Sequence, residues 1–385
     1  MPVFVENENK SWRALECISV GEPGSPSFLE AAELLGDPDD HDELLAQAMR
    51  HNLVPAVAEF LVCTELIAPV PPRLKLFFVN ALHANKRKNQ IATEDAVRVH
   101  GELSRNGVRG AFTKGIVGHI SLYGGRGVRV FNDIDLMINK EDSEKAPEMM
   151  KVLGYEKNKR YDPQVDGLVE MPRKVTAMYR LSPDHIPHFV RLVRDECIPF
   201  LMVDFALSLT WHASPWQVPM EEVLRNLNEV HVEYKSSSHA LPVLHPSFDF
   251  IFTCLHLFRE GWVERTVLKS DIRLSQFADV HHSWRRRAAS HRDLVSDHIS
   301  DHGLQLPMAW VCAHTDALFG TTLVEELQLG AYADPEWLRS ALGPDGSYRY
   351  WSGNIRERLA TRSAPALTTG KAPDLPGDMS IFRAG

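Results

Sequence analysis

Two kinds of hydrophobic spacing alternate along the chain. Between 27 and 107 apolar residues recur at helical intervals, with Leu29, Leu34 and Leu35 in one stretch, Leu44, Leu45 and Met49 in a second, and Val57, Phe60 and Leu61 in a third. Pro69, Pro71 and Pro72 interrupt this pattern, after which 74–103 reads as one long helix stopped by Asn106-Gly107. From Val108 the order becomes strand (108–113), helix (116–123), loop (124–127), strand (133–139) and helix (142–153), the last capped by Asp142 or Ser143 and ended by Gly154. Strand-like runs follow at 167–171, 175–181, 189–193 and 200–207. After Trp211 helical spacing returns at 247–260, 265–280, 294–299 and 306–327. The pattern predicts an α+β fold, a small mixed sheet core flanked by N-terminal and C-terminal helical domains. Its segments are a loosely ordered lead-in (1–26), a helical domain (27–107), the sheet core (108–210), a second helical domain (211–343) and an extended tail (344–385).

Composition narrows the function classes. A formal charge of −9 with no basic tail argues against non-specific nucleic-acid binding. The basic clusters Lys86-Arg87-Lys88, 157–160 and 285–287 read as solvated surface. Five scattered cysteines, none in a C-x-x-C arrangement, indicate neither a disulfide framework nor a cysteine zinc site. The N-terminal residues lack the basic-then-apolar order of a signal peptide, and no run approaches a membrane span. A cytoplasmic location without membrane partners is expected.

The chemistry concentrates in 112–139, FTKGIVGHISLYGGRGVRVFNDIDLMIN. Side chains alternate along a strand, so Asp133 and Asp135 share a face while Ile134 and Leu136 point to a core. Two carboxylates so placed repel unless a cation sits between them, and Mg²⁺ takes oxygen ligands. Upstream, Lys114-Gly115 stands where a strand passes into a helix, a place where backbone can approach phosphate oxygens. A third acid, Asp204, interrupts the apolar run IPFLMVDFAL. An isolated buried carboxylate is costly unless donors, an arginine or a metal satisfy it. Beside an Asp-x-Asp strand, metal binding is the better reading, because three aspartates on neighbouring strands can hold two Mg²⁺ ions.

These residues carry a resemblance. Lys-Gly, then Leu-Tyr, then Arg129 four residues before Asp133-Ile134-Asp135-Leu136, then a helix ending in Leu153-Gly154-Tyr155, resembles the uncharacterised nucleotidyltransferase family of the polymerase-β-like superfamily. That family is similar to the minimal nucleotidyltransferases, with Lys-Gly where they have Gly-Ser. His51-Asn52-Leu53-Val54-Pro55, Asp204, His245-Pro246-Ser247-Phe248-Asp249, Cys254-Leu255-His256, Trp262 and Lys269-Ser270-Asp271-Ile272 extend the likeness over about residues 45–285. The resemblance makes 108–210 a nucleotidyltransferase core. It implies that Asp133, Asp135 and Asp204 bind two Mg²⁺, that Lys114 and the Gly115 backbone hold the phosphates of ATP or another NTP, and that Arg129 stabilises transition-state charge. Two positions depart from the family pattern. Asn132 replaces a glycine, and Glu260 stands where a basic residue or His is commoner.

The implied reaction is in-line attack on an α-phosphate, transferring AMP from ATP to a small-molecule acceptor with release of pyrophosphate, in a setting such as specialised biosynthesis. Two alternatives stay open: nucleotidylation of a protein, peptide or tRNA, and a non-catalytic nucleotide-binding regulator. His256 and Asp271 are candidates to line the acceptor pocket, or else form a hydrogen-bonded structural pair. His281-His282 and His185 with His188 lack partners at zinc-site spacing, and Gly125-Arg126-Gly127 lacks the context of a dinucleotide loop.

Overall fold

The computed structural model describes residues 10–36, 41–176, 185–211, 214–264, 272–343, 345–361, 366–371 and 373. Its contacts divide the chain into two compact units, one of 1–83, 256–285 and 305–385, the other of 84–255 and 286–304. The fold is α+β, as the spacing predicts, with a central mixed sheet.

The first unit is mainly helical. It begins with α1 (Lys10–Val20), α2 (Pro26–Leu34), α3 (His41–Arg50) and α4 (Val54–Cys63), followed by the first part of α5 (Pro72–Arg105). Ser25 caps α2, its hydroxyl accepting from the Phe28 N–H, with Pro26 in the first turn. The expectation of a loosely ordered lead-in is corrected at α1, which buries Trp12, Leu15 and Ile18. An aromatic core gathers Phe258, Trp262, Trp310 and Trp337, with the Trp262 and Trp337 rings 5.1 Å apart. The tail is likewise not simply extended. A three-stranded sheet of β10 (Ser340–Leu342), β11 (Tyr348–Tyr350) and β12 (Thr368–Thr369), plus the helix Ile355–Ala360, bury Trp351, Ile355 and Leu359. Those apolar residues are too few and too irregularly spaced to announce an element by periodicity.

The second unit is built on a seven-stranded sheet in the order β3-β6-β7-β2-β1-β9-β8. Its strands are β1 (Gly110–Thr113), β2 (Ile134–Ile138), β3 (Glu156–Lys157), β6 (His185–Leu192), β7 (Phe200–Ala206), β8 (Asn228–Tyr234) and β9 (Ser237–Val243). The β2–β7 and β1–β9 pairs are parallel and the rest antiparallel. Every residue of β2 is buried, so both faces are covered there. Beneath the sheet lies a core containing Ile91, Ala96 and Val99 of α5, Ile116 of α6 (Lys114–Val117), and Met149 and Met150 of α7 (Ala146–Val152). A separate hairpin, β4 (Lys159–Asp162) with β5 (Gly167–Glu170), accounts for the run expected at 167–171.

Two expectations fail in this unit. The β8–β9 hairpin lies in a stretch read as helical, although Val230, Val232 and Tyr234 alternate as a strand should. Its turn places Lys235 (φ 49°) and Ser236 (φ 61°) in the left-handed region, which glycine or asparagine ordinarily announces. Of the strand expected at 175–181, Val175 and Thr176 are helical and the remainder lies outside the described residues.

Candidate active site

Sheet register brings the acids together. Asp135 of β2 is the direct partner of Asp204 on parallel β7, and on its other side of Thr113 on β1. Residues paired in register present their side chains to the same face, so the Asp135 and Asp204 carboxylates stand side by side. Asp133, two residues upstream, belongs to that face just before the strand begins. Asp135 and Asp204 are buried and Asp133 is half-buried.

The electrostatics follow from that crowding. The negative charge of Asp135, with burial and then Asp204 adding to it, pushes the Asp133 carboxyl up to about 7, against the pull of Lys114 and Lys88. Lys114 answers the acids directly, its Nζ donating to Asp135 Oδ1 at 2.9 Å. Burial alone would lower the Lys114 ammonium's pKa, but attraction to Asp135, Asp204 and Asp133 outweighs it and holds the group above its ordinary value. Lys114 also sits 5.3 Å from the centre of the Phe252 ring and adopts φ 47°, an uncommon backbone state for a side chain of its size.

Gly115 and Arg129 are placed by packing. A Cβ on Gly115 would come within 2.7 Å of Phe131, so the glycine lets that ring close over the start of α6. A Cβ on Gly118 would meet the Arg129 Nε at 2.9 Å, which places the arginine side chain across the glycine. The Arg129 carbonyl accepts from the Asn85 and Asn89 amides of α5 at 3.0 and 2.9 Å. Asn89 Nδ2 also donates to His119 Nδ1 at 3.2 Å. Burial, then the charge of Arg129, brings His119 down to about 4, so this imidazole is neutral beside the guanidinium.

Several neighbours of the acids escaped the sequence reading. Lys88 lies in a cluster taken as solvated surface, yet it is half-buried and donates to Asn132 Oδ1 at 2.8 Å. Burial lowers its pKa and the charge of Asp133 opposes that. The signal was present in the helical spacing of Asn85, Lys88, Asn89 and Ala92, which puts three polar residues on an otherwise buried face of α5. His188 approaches Asp204 Oδ1 at 3.4 Å. The β6–β7 register runs Ile186 to Phe205 and Phe189 to Val203, so Pro187 and His188 together oppose Asp204 in a bulge. A proline there withholds a ladder N–H, which suits a bulge.

His256 belongs to the other unit, where its Nε2 lies 2.9 Å from Glu260 Oε1. Burial would raise the Glu260 carboxyl, but hydrogen bonds from His256 and Gln276 hold it down at about 2. Glu260 is thus the partner of His256, and Asp271 lies outside the described residues. Among the described residues the one trio of potential ligands whose donor atoms all lie within 4.8 Å of one another is Glu222, His298 and His302. Asp133, Asp135 and Asp204 do not meet that spacing, and Lys114 is paired to Asp135.

No helix among the described residues is long and apolar enough to cross a membrane. No curated protein matches the chain. A sequence model described as an uncharacterised nucleotidyltransferase matches residues 37–320, spanning both the acidic strands and most of the flanking helices. The chain belongs to that nucleotidyltransferase family.

Proposed function

We propose that the protein transfers a nucleoside monophosphate, AMP from ATP, to a small-molecule acceptor and releases pyrophosphate. The observation that carries this reading is the register pairing of Asp135 with Asp204, with Asp133 raised to about 7 by its neighbours. Three carboxylates that repel one another in a partly buried site have a free-energy deficit that a divalent cation removes. Their all-oxygen donor set suits Mg²⁺. Asp133, Asp135 and Asp204 would hold two such ions, which when bound supply charge neutralisation for a triphosphate and its attacking oxygen.

The remaining roles belong to the chain's own groups. Lys114, already paired to Asp135, is placed to exchange that carboxylate for a phosphate oxygen. Arg129, laid across Gly118 beside a neutral His119, offers a second cation to the charge that develops on the phosphates. Phe252 beside Lys114 shields the ammonium from water and strengthens its field. His188, 3.4 Å from Asp204, would keep that carboxylate oriented.

The test is incubation of the full chain with Mg²⁺ and each labelled NTP, with and without candidate acceptors, following pyrophosphate release. Asp204→Asn should lower the rate by at least about 10³-fold. If no NTP binds with Mg²⁺ present, and wild type and Asp133→Ala behave alike, the catalytic reading is wrong; NTP binding without any pyrophosphate release favours the non-catalytic nucleotide-binding regulator instead. Label appearing on a protein, peptide or tRNA, with none on small molecules, overturns the choice of acceptor.

A further inference from the structure

Away from the aspartates, and unused by the chemistry above, Glu222, His298 and His302 meet within the second unit. His298 lies in the helix Arg292–Asp301 and His302 caps its C-terminus, so an i,i+4 spacing puts both imidazoles on one side of that helix. Glu222 comes from the short helix Met220–Val223, which precedes β8. His298 Nδ1 and His302 Nε2 both address the same oxygen, Glu222 Oε1, at 3.4 and 3.3 Å. Those separations are long for a carboxylate gripped by imidazolium, where charge-assisted hydrogen bonds run about 2.7–2.9 Å. They agree with the edge of a tetrahedron whose metal–ligand bonds are about 2.0–2.1 Å, which is about 3.3–3.4 Å long.

The geometry points to a zinc site made by Glu222, His298 and His302, with water as the fourth ligand, joining the segment ahead of the β8–β9 hairpin to the helix Arg292–Asp301. The surroundings hold the ligands in place. The Phe248 ring stacks on His298 at 4.1 Å, and Val223, next to Glu222 in the chain, and Val295 and Ile299, in the helix of His298, are buried. Glu222 keeps 30% side-chain exposure, so ion and water have a path in. Two imidazoles and one carboxylate suit Zn²⁺ and neighbouring transition ions, whereas Mg²⁺ prefers oxygen donors throughout. The site is therefore chemically distinct from the three aspartates.

The test uses the full chain stripped of metal by a chelator and titrated with Zn²⁺ against a competing chromophoric chelator, with Mg²⁺ in excess throughout. Wild type should take up one equivalent with micromolar or tighter affinity, and Co²⁺ in its place should show the visible absorption of a tetrahedral complex. Zinc should slow hydrogen exchange of the amides in the helix Arg292–Asp301 by about tenfold or more. His302→Ala and Glu222→Gln should lose the high-affinity equivalent and the added exchange protection, while Asp204→Asn keeps both. Glu222→Gln changes almost no volume, so it carries the test alone if His302→Ala does not fold. Absence of micromolar zinc binding in wild type, or its retention in Glu222→Gln, overturns the site. Loss of the zinc in Asp204→Asn would also overturn it, by placing the ion at the aspartates.

Discussion

Replacing Asp133 with asparagine should stabilise the fold, and increasingly so as pH rises. The unfolded carboxyl titrates near 3.8 and the folded one at about 7. Between those values the folded protein holds a proton that the unfolded chain has released, so stability falls as pH rises through that window. The full difference, about three pH units, corresponds to ~4 kcal/mol at about 1.4 kcal/mol per unit. More than half of it should develop between about pH 5 and about pH 8. Asparagine cannot ionise and escapes that loss. Because the chain has two compact units, a bulk melt would mix their transitions. The suitable assay is native-state hydrogen exchange at the β2 amides, with a chelator present and intrinsic rates corrected for pH. The advantage of Asp133→Asn over wild type should grow by about 2–3 kcal/mol across that range. Asp135 is the largest cause of the shift, so in an Asp135→Asn background the same substitution should gain much less. A flat difference from pH 5 to pH 8, or a variant less stable than wild type at pH 8, would refute the claim that the carboxylates repel in the folded state.

Other substitutions probe the parts that position this site. Gly115→Ala should cost about 1–3 kcal/mol in the same exchange experiment, because a Cβ there must displace the Phe131 ring. Lys88→Ala removes a cation that holds the Asp133 pKa down, so the pH at which Mg²⁺-dependent transfer reaches half its maximum should move upward. An unchanged or lowered midpoint would show that Lys88 does not act on Asp133. Tyr155→Phe deletes the hydroxyl that donates to Asp95, a buried carboxylate also held by Arg98 at 2.7 Å and Arg191 at 2.6 Å. The expected loss is about 1.5–3 kcal/mol, measured by urea-dependent exchange of β6 amides, with NTP binding unchanged.

The chain's periodicity was enough to show an α+β protein whose acids sit on strands, because burial of apolar side chains is a local pattern when an element is long or strongly alternating. It announced the long helix α5 and the strands β2 and β7, whose apolar runs are interrupted only by Asp135 and Asp204. It did not announce β8 and β9, whose left-handed turn is made by Lys235 and Ser236 instead of glycine, nor the elements after 344. Composition and spacing could nominate Asp133, Asp135, Asp204, Lys114 and Gly115, since each type is chemically costly or conformationally special where it stands, whereas Arg129 was named only through the family resemblance.

What needed the tertiary structure is anything set by register and by distant packing. That Asp135 faces Asp204 across two parallel strands is a property of their pairing, and a shift of one residue would have sent one carboxylate to the other face. That Lys88 reaches Asn132 and feels Asp133, that His188 reaches Asp204 through a bulge, and that Phe252 covers Lys114 all join residues between 44 and 138 positions apart or on neighbouring strands. The Glu222, His298 and His302 trio joins residues 76 and 80 positions apart. A sequence states which groups are available, and sheet register and helix packing decide which of them touch.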